Sequence, residues 1–314
     1  MKAALVVEPG QTPVYRDFPE PVPAPGKVII RVTAAALSHV TRSRASGTHY
    51  SSHGELPFVA GVDGTGVTQA GQRVYFFFPQ HPHGGMAELT LADEQHCVAL
   101  PKDLDEKLAA AIAIPGISSW AALLERAQLR AGETVLINGA TGTSGRLAIQ
   151  IAKHLGAGKV IATGRRPSDY LRALGADVIV QLVEDRDVLE QAFKEVFEER
   201  VDIVLDYLWG SSAETLIVAA AKAGPEGVPI RYVEIGSISG PDITLPSAAL
   251  RSSSLQLMGS GLSSVPLPRL LAAIEGVLNA APAAGLAAAI KLEPLANISQ
   301  AWAEETGARI VLVP

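Results

Sequence analysis

The chain has 314 residues, about twice the length of a typical domain, so two domains are expected. It is 48% hydrophobic and 18% charged, which excludes a disordered or fibrous chain. A formal net charge of −6 argues against general attraction to nucleic acids or anionic membranes. Cys97 is the only cysteine, which excludes an internal disulfide and a cysteine-ligated structural zinc and favours a cytoplasmic protein.

The two most apolar stretches do not predict a membrane segment. The run at residues 1–7 is too short for a signal sequence, and we interpret it as a first strand. Residues 270–290 are alanine-rich and are interrupted by Glu275, Pro282 and Gly285. We therefore expect neither a secretory signal nor a transmembrane helix.

Residues 1–100 are predicted to form an irregular β-rich domain, because short runs of β-branched residues alternate with Pro and Gly. These runs lie at residues 27–33, 71–78 and 87–91. An alanine-rich helix at residues 104–114 is then expected to end at Pro115. A second helix is expected at residues 118–128.

Residues 133–260 alternate apolar strands with helical segments, which is typical of a parallel, doubly wound Rossmann sheet. The predicted strands are 134–138, 159–163, 177–180, 201–207, 230–235 and 255–258. The chain ends in another apolar strand, 308–313, whose natural partners lie in the β-rich first part. We therefore predict an α/β fold in which residues 115–260 bind a dinucleotide, while residues 1–114 and 261–314 together form a discontinuous β-rich domain.

The first of these strands leads into a glycine-rich turn that opens an amphipathic helix. Small residues let the backbone approach a pyrophosphate, and the helix N-terminus offers unpaired N–H groups and a positive dipole end. Glycine also closes turns that bind nothing, but this position in an alternating unit favours a dinucleotide site. The predicted cofactor-binding residues of the turn are Gly139, Ala140, Thr141, Gly142, Thr143, Ser144 and Gly145.

The second strand leads to Gly164, Arg165 and Arg166, where a site selective for NADH would usually carry an acidic residue. Two guanidinium groups instead fit the 2′-phosphate of NADPH, and charge-assisted contacts of this kind are worth roughly ten- to a hundredfold in affinity. We therefore predict NADPH as the cofactor; the open alternative is that both arginines are solvated loop charges. Tyr170 is expected either to stack near the adenosine or to pack against the protein.

With these features assembled, the chain resembles the zinc-independent quinone oxidoreductase branch, which includes zeta-crystallin, of the medium-chain dehydrogenase/reductase superfamily. The likeness is carried by segments that span nearly the whole chain. They are Met1-Lys2-Ala3; residues 57–66, PFVAGVDGTG, similar to the family's P-x-x-x-G-x-D-x-x-G; residues 109–120; the glycine-rich turn; and the closing Arg309-Ile310-Val311-Leu312. The resemblance implies a groES-like catalytic domain formed by both chain ends, NADPH-dependent oxidoreduction, and a homodimer or homotetramer.

The resemblance also implies further cofactor contacts. In the family the turn after the fifth strand lines the nicotinamide, which here corresponds to Ile235, Gly236 and Ser237. Ser118 stands where the family has a threonine near the cofactor. The family places NADPH and the substrate between the two domains.

A metal site is not expected. The zinc-dependent branch ligates its catalytic zinc with a cysteine and a Gly-His-Glu segment, where this chain has Ser38 and Gly61-Val62-Asp63. Histidine pairs in loops are usually solvent-facing when further ligands are missing. The pairs in this chain are His49 with His53 and His81 with His83.

Reduction of a quinone transfers a hydride to an electrophilic ring, and the product oxygen can take its proton from water. The main task of the protein is then to hold cofactor and substrate together and to exclude bulk water. Ser38, His39 and Tyr50 are the candidates for orienting or protonating the substrate carbonyl, and a structural role is an equally open alternative for each. Arg42 is a weaker candidate for attracting an anionic or carbonyl substrate, since a solvated surface charge is the favoured alternative.

Two other functions stay open at this stage. An NADPH-dependent enone or enoyl reductase on the same scaffold would also have to protonate carbon. A non-catalytic NADPH-binding or sensing protein would bind the cofactor without turnover. The expected partner is a small-molecule quinone or enone, without nucleic acid or membrane.

Overall fold

The computed structural model describes residues 1–49, 52, 55–166 and 169–314, so Tyr50 lies outside the described residues. The strands are β1 (Lys2–Val6), β2 (Val14–Asp17), β3 (Lys27–Ala36), β4 (Phe58–Val59), β5 (Asp63–Thr68), β6 (Arg73–Phe77), β7 (Leu89–Asp93), β8 (Cys97–Ala99), β9 (Thr134–Asn138), β10 (Lys159–Gly164), β11 (Val178–Gln181), β12 (Ile203–Asp206), β13 (Ile230–Glu234), β14 (Leu255–Gly259), β15 (Ile290–Pro294) and β16 (Arg309–Val313). The α-helices are α1 (His39–Ala45), α2 (Glu106–Ala121), α3 (Thr143–His154), α4 (Asp169–Ala173), α5 (Arg186–Glu198), α6 (Gly210–Ala223), α7 (Ser247–Arg251), α8 (Leu267–Ala284) and α9 (Ile298–Ala303). Short 3-10 turns occur at Glu94–His96 and Leu295–Asn297, and a π-helical turn at Ala122–Arg126.

Pro115–Leu286 form one compact unit, which we call the Rossmann unit. Its sheet has the strand order β11-β10-β9-β12-β13-β14, and the paired strands are parallel. β9 and β12 are buried along their whole length because helices cover both faces of the sheet. The order changes direction between these two strands, and a doubly wound sheet binds its ligand at the carboxyl ends of strands at such a point. The predicted parallel sheet is confirmed.

Met1–Ile114 and Ala287–Pro314 form the second compact unit, the β-rich unit. One sheet has the order β15-β16-β3-β5-β6-β8, with β7 also paired to β3, and a smaller sheet has the order β2-β1-β4. The C-terminal strand enters the larger sheet because β16 pairs antiparallel with β3, with Val311 opposite Ala36. The expected pairing of the last strand with the first part of the chain is confirmed.

The helix that we predicted to end at Pro115 continues past it. α2 runs through the proline and leads into the π-helical turn, so a separate helix at 118–128 is wrong. Ser118 Oγ donates to the Pro115 carbonyl at 2.7 Å, which supports the turn after the proline. Gly116 lets the helix pack closely on Val277, whose Cγ1 lies 2.7 Å from where a Cβ would stand. Tertiary packing here outweighs the helix-breaking tendency of proline.

The domain boundary that we expected after residue 260 lies further on. Residues 261–286 belong to the Rossmann unit, because α8 packs against α3 and against the end of α2. Gly276 on α8 faces the Trp120 indole, which would be 2.6 Å from a Cβ at that position. An apolar helical pattern shows that a face is buried, but it does not show which unit buries it.

Among the described residues, one helix is long and apolar enough to cross a membrane by length and composition, Glu106–Arg126. In the folded chain 67% of its apolar window is buried, as in the core helix of a globular protein.

Candidate functional site

The glycine-rich turn lies where β9 ends and α3 begins. Gly139 has φ of +92°, a left-handed conformation that favours glycine. A Cβ on Gly145 would lie 2.4 Å from the Gly139 carbonyl oxygen and 2.6 Å from Ala140 Cα, so this contact requires glycine. Gly142 precedes α3, and no side chain caps the helix there among the described residues. The turn therefore offers a tight backbone cradle and an uncapped helix N-terminus, which suit a phosphate group.

The other predicted residues of the turn lie beside it. Thr141 Cγ2 is 2.4 Å from the position that a Cβ would take at Gly164, so this second glycine lets β10 approach the turn. Thr143 and Ser144 are the first residues of α3. The structure thus brings the predicted turn residues and the end of β10 together.

A buried polar network holds the turn, and we did not predict it from the sequence. Asn138 Nδ2 donates to Asp206 Oδ1 at 2.8 Å, and the Thr163 hydroxyl donates to Asn138 Oδ1 at 2.8 Å. The same hydroxyl accepts from the backbone N–H of Gly139 at 3.0 Å. The first glycine of the turn is therefore fixed through side chains of three neighbouring strands.

Asp206 is the centre of this network and is fully buried. It also accepts from the Tyr232 hydroxyl at 2.6 Å and from the backbone N–H groups of Leu208 and Trp209 at 2.9 and 3.2 Å. Burial raises the pKa of Asp206, and these hydrogen bonds oppose the shift. Trp209 has φ of +58°, a strained value for a bulky residue that the bond to Asp206 helps to hold. A sequence signal existed: Asp206 and Asn138 are polar residues at the ends of apolar strands.

Arg165 and Arg166 follow β10 and are exposed, as a site for a 2′-phosphate requires. The predicted Tyr170 ring is half exposed and lies 5.4 Å from the guanidinium of Arg146, a residue that we did not single out from the sequence. Arg146 Nε is buried without a hydrogen-bond partner among the described residues. Its position in the first turns of α3 is the signal that could have identified it.

Ser118 and the predicted nicotinamide turn lie close to Tyr207. Ser118 Oγ is 3.4 Å from the Tyr207 hydroxyl, and burial raises the pKa of that tyrosine to about 12. The backbone N–H groups of Ile235 and Gly236 both donate to the Asp206 carbonyl, at 2.8 and 3.2 Å. The turn is therefore anchored to the strand whose carboxylate organises the glycine-rich turn.

Ser237, the third predicted residue of the nicotinamide turn, lines an open cavity of about 540 Å³. Trp209, Glu234 and Met258 share this lining, at the carboxyl ends of β13 and β14. Burial raises the pKa of Glu234, and the nearby charge of Asp206 adds to the shift. The cavity gives the Rossmann unit room for a ring-sized ligand beside the turn.

In the β-rich unit, Ser38 is buried and caps α1. Its Oγ accepts from the Thr41 N–H at 3.0 Å and lies 2.9 Å from the Thr41 hydroxyl. Burial, followed by the charges of Arg309 and Arg42, lowers the pKa of His39. The His39 imidazole is therefore neutral at pH 7 and carries one N–H donor. Catalytic roles for Ser38 and His39 stay predictions.

Arg42, the predicted substrate-attracting residue, is engaged within the β-rich unit. Its guanidinium donates to the Trp302 carbonyl and stacks over the Trp302 ring at 5.4 Å. These contacts give Arg42 a packing role.

Asp63 is a buried carboxyl of the β-rich unit, and Arg309 is close enough for its charge to act on this carboxyl. The Tyr75 hydroxyl donates to Asp63 Oδ2 at 2.9 Å, while Asp63 Oδ1 and the Nε and Nη2 of Arg309 have no hydrogen-bond partner among the described residues. Burial raises the pKa of Asp63 to about 7, opposed by the Tyr75 hydrogen bond and the Arg309 charge. Asp63 and Arg309 are far apart in sequence, so no local pattern predicts that they interact.

The chain is similar in sequence to known dehydrogenases and reductases. Residues 145–275 match a family described as zinc-binding dehydrogenase. The quinone oxidoreductase of Lama guanicoe is 30% identical over 269 residues, covering 82% of this chain and 79% of the relative. A probable NADPH-dependent quinone reductase, tdiC, of Emericella nidulans is 28% identical, and the match covers 100% of both chains.

The fold is also that of solved quinone oxidoreductases. The enzyme from Thermus thermophilus, solved alone and in complex with NADPH, superposes with a TM-score of 0.81 at 26% identity, over 100% of both chains. The match includes the residues of both compact units. The resemblance that the sequence motifs indicated is confirmed: the chain belongs to the quinone oxidoreductase family of the medium-chain dehydrogenase/reductase superfamily.

Proposed function

We propose that the chain is an NADPH-dependent reductase of quinones or related electrophilic carbonyl acceptors. The observation that carries the proposal is the glycine-rich turn, where the close contact of Gly145 with the Gly139 carbonyl excludes a side chain and keeps the turn tight against the uncapped N-terminus of α3. The relatives named for quinone reduction with NADPH support the same reaction class.

The residues present fit NADPH. The uncapped N-terminus of α3 would hold the pyrophosphate, because its first N–H groups and the helix dipole favour anions. Arg165 and Arg166 would hold the 2′-phosphate, and Arg146 adds a third guanidinium on α3. Three cations and no acidic residue directly after β10 favour NADPH over NADH.

When bound, NADPH supplies the reducing equivalents for a two-electron reduction. Ser118 and the turn Ile235–Ser237 would orient the nicotinamide end. Ser38, His39 and Tyr50 are the residues that we propose for the acceptor carbonyl, with the neutral His39 imidazole donating a hydrogen bond to its oxygen. The reduced oxygen then takes its proton from water, so the chain needs no dedicated acid for a quinone.

The residues do not fit a catalytic zinc. Ser38 stands in the position of the zinc branch's cysteine and uses its hydroxyl to cap α1. Asp63 accepts a hydrogen bond from the Tyr75 hydroxyl. Within the described ranges no group of three or more His, Cys, Asp or Glu side chains is placed to hold a metal ion. We therefore propose that the reaction does not require zinc.

We also propose that the protein is a cytoplasmic homodimer or homotetramer that acts without nucleic acid or membrane. The single cysteine and the net charge of −6 support the compartment and the absence of polyanion partners. Light scattering on the purified chain measures the oligomeric state directly, and a monomer at working concentration would contradict that part of the proposal.

The experiment that tests the proposed reaction follows oxidation of NADPH, and separately NADH, by chelator-treated protein with a simple quinone or a simple enone. Turnover of the quinone with NADPH is expected to persist after chelation. Turnover of the enone alone would instead identify a carbon–carbon double-bond reductase. Tight NADPH binding without turnover of either acceptor would favour a non-catalytic binding protein.

A further inference from the structure

The β-rich unit contains a small, partly enclosed cavity that the proposed reaction does not use. Its volume is about 50 Å³, and both polar and apolar side chains line it. A single buried water needs roughly 10–15 Å³ on the same scale, so the cavity has room for about four heavy atoms and not for a quinone ring. The lining residues that matter here are Thr41, Arg44, Phe58, Val62, His81 and His83.

Arg44 brings a positive charge to this cavity. None of the described residues that line the cavity is an Asp or a Glu. The guanidinium stacks over the Phe78 ring at 5.3 Å, and burial lowers the pKa of Arg44. Burial, followed by the charge of Arg44, lowers the pKa of the neighbouring His49. A partly buried cation in such surroundings favours an anionic ligand, because an anion restores the electrostatic stabilisation lost on burial.

His83 supplies a second polar group. Both of its ring nitrogens are buried, and neither has a hydrogen-bond partner within normal geometry among the described residues. Burial lowers the pKa of His83; the approach of the imidazole to the Gln80 backbone opposes this shift, and the charge of His81 adds to it. A neutral imidazole at pH 7 carries one N–H donor and one acceptor, and leaving both buried and unused costs free energy. A ligand oxygen in the cavity would satisfy the donor.

We propose that this cavity binds a small aliphatic carboxylate of the size of acetate or propionate. The planar guanidinium of Arg44 matches the two oxygens of a carboxylate, and His83 donates a further hydrogen bond to one of them. Phe58 and Val62 add apolar surface to the cavity lining. Apolar surface suits a short alkyl group and disfavours the fully hydrated phosphate or chloride ion.

The site lies close to a predicted substrate-orienting residue. Thr41 lines the cavity, and its hydroxyl is 2.9 Å from Ser38 Oγ, so one hydrogen bond joins a lining residue to Ser38. The ligand is either a free small acid or the acidic end of a larger molecule, and both share the same head-group chemistry. The binding site itself does not depend on the proposed reduction.

The test titrates the full chain, without NADPH or acceptor, with sodium acetate and sodium propionate at constant ionic strength maintained with sodium chloride. Binding is followed by chemical-shift changes in NMR spectra. Wild type and the exposed-arginine control Arg16→Gln are expected to show the same saturable binding, and Arg44→Gln to bind about tenfold more weakly or worse. Wild-type shifts that do not saturate, or equal affinity in Arg44→Gln, would overturn the proposal.

Two further arms keep the proposal testable if Arg44→Gln does not fold. A crystal of the wild-type chain soaked in propionate should show the ligand between Arg44 and His83, and empty density there would contradict the site. Inorganic phosphate that competes as well as acetate would show a general anion site and overturn the carboxylate assignment. Because none of these measurements involves NADPH, their failure leaves the proposed reductase activity untouched, and failure of that activity leaves them untouched.

Discussion

The two units place their polar groups differently. In the Rossmann unit, Asp206 accepts hydrogen bonds from side chains and backbone N–H groups around it, and the network continues to Asn138 and Gly139. In the β-rich unit, buried atoms of Asp63, His83 and Arg309 lack partners among the described residues. In the first unit these hydrogen bonds hold the glycine-rich turn in place, although Arg146 Nε on α3 also lacks a partner among the described residues. The second has polar side chains that a ligand or water can still satisfy.

The largest effect on cofactor binding is expected where the backbone forms the proposed phosphate cradle. Gly145→Ala and Gly145→Val place a Cβ 2.4 Å from the Gly139 carbonyl oxygen, so the turn must open. We expect NADPH affinity to fall by about tenfold for Ala and by about a hundredfold or more for Val, measured by calorimetric titration. Gly307→Val is the matched control, because nothing lies within 4 Å of a Cβ there. Unchanged NADPH affinity in folded Gly145→Ala would refute the pre-formed cradle.

The second effect concerns cofactor selectivity in the same unit. Replacing Arg165 and Arg166 together with alanine should weaken NADPH binding by roughly ten- to a hundredfold and leave NADH binding nearly unchanged, because only NADPH has the 2′-phosphate. Arg16→Ala, at an exposed position in the β-rich unit, controls for loss of surface charge. Equal losses of affinity for NADPH and NADH would show that the two arginines do not bind the 2′-phosphate.

The third effect tests the buried carboxyl of the β-rich unit. Burial raises the pKa of Asp63 from 3.8 to about 7, so the folded state holds this proton more tightly than the unfolded state does. The contribution of Asp63 to stability is therefore greatest below about pH 4 and falls as the pH rises towards 7, by up to about 4 kcal/mol.

Asp63→Asn should remove that fall, as measured by urea unfolding of wild type and variant from pH 4 to pH 8. The exposed Asp103→Asn serves as the control. Parallel stability curves for wild type and Asp63→Asn across this range would show that the carboxyl does not titrate there.

The smallest effect distinguishes a structural role of Ser38 from a catalytic one. Ser38→Ala removes the cap of α1 and should lower the free energy of unfolding by about 1 kcal/mol. Asp185→Ala removes the matching cap of α5 and should cost about as much. If Ser38 also orients the acceptor, its variant alone should lose roughly tenfold in kcat for a quinone. Identical kinetics in the two variants would leave Ser38 with a capping role only.

Much of the Rossmann unit followed from local patterns. Apolar strands alternating with helices predicted the parallel sheet, and the residues after β9 and β10 indicated the proposed cofactor site, since a strand, a glycine turn and a helix N-terminus are contiguous in sequence. The continuation of α2 through Pro115 did not follow, because it depends on packing against Val277, which lies more than 150 residues further along the chain.

The contacts that organise the sites were harder to predict. Asn138 and Asp206 are 68 residues apart, and their hydrogen bond exists only once the strands pair. The nearness of Arg309 to Asp63 likewise requires the last strand to enter the first sheet. Arg42 and Arg44 lie on the same short helix, α1, and their sequence surroundings do not distinguish their roles. Only the fold shows that Arg42 packs on Trp302 while Arg44 lines a cavity.

The most direct test of the proposed reductase is a single-turnover experiment in which metal-free protein, already saturated with NADPH, is mixed rapidly with a simple quinone. We expect bound NADPH to be oxidised in one fast phase, in proportion to the protein present and without added metal. NADPH that stays reduced on the protein, or that is oxidised only after zinc is restored, would contradict the proposal.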